Sequence, residues 1–344
     1  MMKNYKCVNE AIEDFYRNNN LDPDGYLSNE NDAYVQGKDY DSYIGSDIFP
    51  SKVNEWLQTF DLEDINIFLN LLGNYTYLTR REYRHKLSIL SDEIADLING
   101  LGLDFNDIVF ITIPSPKNIK SGGDEIRSYF NSVNFCRDIN NEQLVCLSDH
   151  MSPELFKDKH VIIFLDDLIG SGKTIISSIL SFIDYLKINN FDISDYLFYF
   201  AGIIVNKSAN SYILDTFKEM GLSINNINLN PPKKLLKGGV VFDGNEINHV
   251  KDIIQKYEKL IDSYQYKTSL KKYVMGFNEC KLTISFYYNT PNNTLCNFWE
   301  YSDTHVPLFE RRSQVRPSIN DLKERKTNRR INAYLMRKYK NEAL

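Results

Sequence analysis

Apolar positions change their spacing several times along this chain, and the changes mark its elements. Residues 1–50 are polar and rich in Asn, Asp and Tyr, with one short helical stretch at Ala11–Tyr16 and a turn-rich remainder ending at Pro50. They predict an irregular extension that either covers a site or wraps the core. From 51 to 100 the spacing is helical. Val53, Trp56 and Leu57 open it, and Ile65, Phe68, Leu69 and Leu72 continue it. Leu87, Leu90, Ile94, Leu97 and Ile98 form one face of a second helix over Glu82–Leu101. Asp61 and Thr79 are the expected N-caps, the latter in a capping box with Glu82. These helices are expected to pack on a sheet.

Residues 101–243 alternate strand and helix, the pattern of a parallel α/β core. Asp107–Ile113 is a strand, followed by a loop and a helix over Asp124–Val133. Gln143–Leu147 is a short strand and Ser152–Asp158 a connecting turn. Val161–Leu165 has the unbroken apolar run of a strand buried on both faces. It ends on Asp166 and Asp167, followed by a turn, Gly170-Ser171-Gly172-Lys173-Thr174, and a helix over Ile175–Leu186. A strand at Tyr196–Val205, a helix at Ser208–Met220 and short strands at Ile224–Leu229 and Gly239–Phe242 follow. Residues 244–310 hold a charged helix (Asn245–Leu270), a return strand (Lys281–Tyr288) and the polar segment Asn289-Thr290-Pro291-Asn292-Asn293-Thr294, which leads to Trp299. Residues 311–344 have helical spacing from Ile319 onward.

Charge changes the picture only at the end. The chain carries 40 Lys and Arg against 46 Asp and Glu, a net charge of −6, yet residues 311–344 alone carry +8. Such a tail is either a solvated helix held by an acidic body or a contact for nucleic acid or an acidic partner protein. Five cysteines without Cys-x-x-Cys spacing fit a reducing, cytoplasmic setting better than a disulfide framework. The start shows no apolar signal-peptide core, no apolar run is long enough to span a membrane, and the five histidines have no paired metal spacing.

The chemistry concentrates between Val161 and Ile175. Gly-Ser-Gly-Lys-Thr invites comparison with the ATP-binding P-loop, but that motif needs a glycine where Asp167 stands. A strand, two acids, a glycine turn and a helix N-terminus instead form a cradle for one anion beside two acceptors for a diol. An ordinary strand-turn-helix without a ligand is the alternative.

The stretch Asp166-Asp167-Leu168-Ile169-Gly170-Ser171-Gly172-Lys173-Thr174 resembles the ribose-5-phosphate signature of type I phosphoribosyltransferases. With the helices from Trp56 to Leu90, the Lys-Ser-Gly loop at 120–122 and the segment from Asn289 to Trp299, the chain resembles the phosphoribosyltransferase-like branch of bacterial conflict and anti-phage systems, including retron-linked members. The resemblance covers roughly residues 50–315. It implies an α/β fold, a type I phosphoribosyltransferase-like parallel sheet flanked by helices, with helical N-terminal and C-terminal extensions. It implies that Ile169, Gly170, Ser171, Gly172, Lys173 and Thr174 bind the 5-phosphate, and that Lys117, Lys120, Ser121, Gly122 and Gly123 hold pyrophosphate. Asp166, Asp167 and Lys120 become the catalytic set, with Mg²⁺ on ligand oxygens and no direct protein ligand. Asn289, Asn292, Asn293 and Trp299 become contacts for a base or a partner, although a tryptophan also serves core or interface.

One departure bears on activity. Purine-salvage members begin the turn with an aspartate that handles the base's proton, and Gly170 stands there. The residues between Val133 and Val161 also leave little length for a catalytic flap. Two functions follow from the resemblance: an effector in anti-phage defence acting on phosphoribosyl pyrophosphate or a nucleotide, or a catalytically inactive sensing or assembly subunit docked to a protein or nucleic acid.

Overall fold

A computed structural model describes residues 2–21, 40, 44, 48–113, 122–132, 143–147, 151–227, 246–261, 273–302 and 305–311. The expected strand at Gly239–Phe242, the loop residues Lys117, Lys120 and Ser121, and the tail beyond Arg311 lie outside the described residues. The chain divides into two units, residues 81–237 and a second assembled from 1–80 with 238–344. The described residues before Arg81 and from Glu246 to Arg311 therefore belong to one unit.

That composite unit contains α1 (Val8–Asn18), α2 (Ile48–Leu57), α3 (Ile65–Gly73) and β1 (Thr76–Leu78). The short helix expected at Ala11–Tyr16 is present and longer, and Ala11, Ile12 and Phe15 of α1 are buried. Helices α2 and α3 fall in this unit, not in the one that holds the main sheet. A long aromatic cluster joins the two ends of the sequence. Trp56 stacks on Phe298 at 4.9 Å, Tyr75 on Phe309 at 4.8 Å, and Phe15 packs against Phe49 at 5.2 Å. Burying aromatics of this size stabilises by roughly 1.5–3 kcal/mol each, enough to hold a polar N-terminal segment in place.

The 81–237 unit contains most of α4 (Arg80–Leu101), then β2 (Ile108–Thr112), α5 (Gly122–Ser132), β3 (Leu144–Cys146) and β4 (Val161–Ile169). It continues through α6 (Lys173–Ile188), β5 (Leu197–Val205), α7 (Lys207–Glu219) and β6 (Ile224–Asn226). The sheet runs β3-β2-β4-β5-β6, and every pair is parallel. Strand β4 lies at its centre, so its apolar run is buried on both faces. On one face Val109, Ile111, Ile162, Phe164, Phe198 and Phe200 pack with Ile179, Phe182 and Leu186 of α6 and Ile213 and Phe217 of α7. This is the expected parallel α/β sheet flanked by helices. No described helix is long and apolar enough to cross a membrane.

The composite unit is completed by α8 (Glu246–Leu260) and β7 (Ile284–Phe286), and β7 pairs in parallel with β1, Thr76 opposite Ile284 and Leu78 opposite Phe286. Asp61 does not cap α3, which starts at Ile65. Its carboxylate instead accepts from Tyr257 Oη at 2.9 Å and Lys256 Nζ at 3.1 Å.

A buried polar knot sits in the same unit. Glu258 accepts from Met275 N at 2.5 Å and from Asn297 N and Nδ2, both at 3.3 Å. The carbonyl of Asn297 accepts from His305 Nε2 at 2.6 Å and Trp56 Nε1 at 2.9 Å, while Thr59 Oγ1 donates to His305 Nδ1 at 2.9 Å. One ring nitrogen donating and the other accepting is the pattern of a neutral imidazole. Burial raises the Glu258 carboxyl from 4.5 to about 7 and lowers His305 from 6.5 to about 4.

The two groups bend stability against pH in opposite senses. The contribution of Glu258 is whole below 4.5 and is lost as pH rises toward 7, while that of His305 is whole above 6.5 and is lost as pH falls toward 4. Between 4.5 and 6.5 they offset each other, each with a slope of up to about 1.4 kcal/mol per pH unit. Relative to the wild-type chain, Glu258→Gln is expected to gain stability with rising pH across that window and His305→Gln to lose it. Urea midpoints measured at several pH values check this, and profiles parallel to wild type in both variants would refute it.

Candidate functional site

Sheet order locates the site. The first strand of the 81–237 unit, β2, neighbours both the second, β3, and the third, β4. The connections leaving β2 and β4 therefore run in opposite directions across the sheet. In open parallel sheets ligands bind outside the carboxyl ends of strands at such a switch point. The chain that leaves β2 enters α5, and the turn after β4 enters α6.

The strand is longer than the hydrophobic run that announces it. The carboxylates were expected beyond its end, but β4 continues through them to Ile169. Asp166 lies opposite Gly202, Leu168 opposite Ile204 and Ile169 opposite Val205 of β5. These cross-strand bonds hold two acids in extended backbone that their own propensities disfavour.

The two carboxylates have different surroundings. Asp166 is half-buried, and its Oδ1 accepts from the Asp167 backbone N at 2.9 Å. Burial, and then the neighbouring Asp167 charge, push the Asp166 carboxyl well above the usual range. Asp167 is 7% exposed. Its carboxyl lies so close to Gly122, the first residue of α5, that a side chain there would fall on it. A side chain at Gly123 would likewise strike the Ile113 carbonyl oxygen. Gly122 and Gly123, expected to hold pyrophosphate, thus have a packing role as well.

The phosphate turn is compact. Ile169 is a core residue whose carbonyl accepts from Asn206 N at 2.9 Å, so its side chain offers nothing to a ligand. Gly170 and Gly172 are buried, and Ser171 is half-buried. Gly172 has φ +79° and caps α6 without a side-chain hydrogen bond. Lys173 and Thr174 are the first helical residues, and both are exposed. The Lys173 N–H lies 3.4 Å from Ser171 Oγ, a long bond. A helix N-terminus of this kind presents unsatisfied N–H groups and a positive dipole end to an anion.

The late polar segment lies in the composite unit, where internal hydrogen bonds engage it. Trp299 is 2% exposed, donates from Nε1 to Thr294 O at 2.8 Å, and has the Arg311 guanidinium 5.5 Å from its ring centre. Of its two expected roles this favours the core, since a buried indole has no open face for a base. Asn293 donates from Nδ2 to Cys280 Sγ at 3.2 Å, and the backbone carbonyls of Asn289 and Asn292 accept from Phe286 and Phe277. Thr290, buried between them, is bonded to Ser285 Oγ at 2.6 Å and to the Phe309 carbonyl at 3.0 Å. The segment is a fastening in the composite unit's core.

The clamp between Asp167 and Gly122 and the buried Glu258 escaped the sequence reading. A signal for Glu258 exists, because Val250, Ile254 and Tyr257 mark the buried face of α8, and 258 falls four residues after 254.

A parallel switch-point sheet, an acidic strand end and a glycine turn opening a helix define a phosphoribosyltransferase-like α/β protein. The family model PRTase-CE matches residues 53–311, and the chain belongs to that family. Comparison with curated proteins and with solved structures gives no match.

Gly172→Ala is expected to cost about 1–2 kcal/mol, because a side chain at positive φ is strained and its methyl would meet Ile213 Cγ1 at 3.0 Å. Denaturant unfolding measures it, and an unchanged midpoint would contradict the assigned turn.

Proposed function

We propose that the 170–174 turn and the strand end before it bind a ribose 5-phosphate ligand, phosphoribosyl pyrophosphate or a nucleotide, together with Mg²⁺. The observation that carries this is the juxtaposition of a half-buried carboxylate, Asp166, with a helix N-terminus whose N-cap is a glycine, at the switch point of the sheet. Membership of a phosphoribosyltransferase-like family supports the same ligand class. The phosphate would take the N–H groups of the turn and of the first turn of α6, and the ribose hydroxyls would donate to Asp166. A hydrogen bond to a charged acceptor contributes about 1.5–3 kcal/mol.

Mg²⁺ suits the donors present. Carboxylate oxygens are hard ligands, and a nearby cation would favour the charged form of Asp166, which burial and then the Asp167 charge disfavour. The ion would lie mainly on the ligand's own oxygens and neutralise charge on a departing pyrophosphate. Lys117 and Lys120 would share that work.

Phosphoribosyl transfer to a purine base is not the expected reaction, because Gly170 has no group to exchange a proton with the base. The resemblance to conflict-system proteins supports an effector in anti-phage defence. The missing proton carrier favours a second reading, a ligand-sensing or assembly subunit whose basic tail docks a partner protein or nucleic acid.

Calorimetry of the full chain with phosphoribosyl pyrophosphate and with ribose 5-phosphate, each with and without Mg²⁺, tests the ligand. Binding of both is expected, with free ribose bound at least tenfold more weakly; equal affinity for free ribose would remove the phosphate cradle. Single-turnover assays with a nucleobase panel separate enzyme from sensor. Hypoxanthine or guanine converted at about 1 s⁻¹ or faster would overturn the exclusion of purine transfer.

A further inference from the structure

Left-handed backbone gathers in one stretch of the composite unit. Among the described residues, Met275, Asn278, Glu279 and Lys281 all have positive φ within seven residues. The other non-glycine cases, Asn20, Asp158 and Asn190, are residue types that tolerate that region, whereas Met275, Glu279 and Lys281 are strained there. Gly276, at φ +75° and ψ +162°, takes a conformation open essentially to glycine, and a side chain there would strike the Asn293 carbonyl oxygen. Strain of this kind persists only where the surroundings enforce it.

The enforcing contacts run to α8 and to the late polar segment. Met275 is buried, donates from N to Glu258 Oε2, and accepts at its carbonyl from Lys281 N at 2.9 Å. Phe277 N donates to Asn292 O at 2.8 Å and Leu282 N to Asn293 O at 3.2 Å. Tyr273 stands edge-on to the Trp299 indole at 5.6 Å. Burial raises the Glu258 carboxyl to about 7, so the closed arrangement prefers the proton, and its charged form gains by becoming hydrated. The titratable groups beside it keep one state from about pH 5.5 to 8: burial, then the Glu258 and Glu300 charges, hold the Cys296 thiol well above its usual range, and His305, reached through Asn297, is lowered to about 4.

We propose that residues 273–281 form a strained strap over Trp299, latched by Glu258 and released when that carboxyl ionises. Release lets Met275, Glu279 and Lys281 return to negative φ, hydrates the carboxylate and uncovers the indole.

The experiment reads single-residue amide exchange, corrected for its intrinsic rate, in the full chain at about pH 5.5 and 8. Protection at Met275, Phe277 and Lys281 is expected to fall at least tenfold with rising pH, while α1 keeps its protection. Glu258→Gln, uncharged at either pH, is expected to show level protection at all three. Glu279→Gly and Lys281→Gly remove strain, and the long ion pair they share, at 3.8 Å and partly exposed, contributes little. Each is expected to raise protection at Met275 about fivefold or more. Acrylamide quenching of tryptophan fluorescence is expected to rise with pH in the wild-type chain, and Trp299→Phe to abolish the rise. The strap is overturned if protection at Met275 is equal at the two pH values, or if both glycine variants leave it unchanged. A rise in quenching that survives Trp299→Phe would overturn its role as a cover. Should Glu258→Gln fail to fold, the wild-type pH series and the glycine variants decide the matter.

Discussion

Strand β4 is paired on both sides, by β2 and by β5, and its pairing with β5 extends past the apolar run to Ile169. Backbone hydrogen bonds in a sheet interior have no water to fall back on, so this ladder holds its residues in extended conformation whatever their side chains prefer. The consequences radiate from that constraint. Two neighbouring acids are held side by side at the end of the strand, close enough for the charge of one to act on the other. One is carried into contact with the start of α5, and the other keeps a half-open position near the phosphate turn. The turn itself is left only Gly170, Ser171 and Gly172 before α6 begins, and Gly172 makes the reversal by adopting positive φ.

The composite unit solves a different problem. Its small parallel sheet pairs residues 76–78 with 284–286, three residues on each strand. Two such short strands cannot stabilise themselves. Aromatic packing among Trp56, Tyr75, Phe298 and Phe309 supplies the apolar burial, and the Glu258–Asn297–His305 network fixes which segments meet. A buried network is unforgiving, because losing one partner strands the others without water. Thr290 and Trp299 serve the same purpose nearby.

Much of the sheet-bearing unit was legible. The order of strands and helices followed from the alternation of apolar runs and amphipathic stretches, and the run Val161–Leu165 marked the central strand. Its end was misjudged because Asp166 and Asp167 look like terminators, and only pairing with β5 keeps them in the strand. In the composite unit the single helices and the return strand were legible, but their assembly was not. Val8–Asn18 is polar overall, and its buried stripe of Ala11, Ile12 and Phe15 is completed by aromatics such as Phe49 and Phe309 that lie far along the sequence. For Trp299 the sequence left base contact and core both open, because local sequence does not record that its indole is enclosed.

A crystal of the full chain soaked with ribose 5-phosphate and Mg²⁺ tests the central claim most directly. The account predicts phosphate density at the backbone of Gly170–Thr174, with ribose hydroxyls against the acidic end of β4 at Asp166. Phosphate bound elsewhere, or ribose hydroxyls bound away from the acidic end of β4, would contradict it.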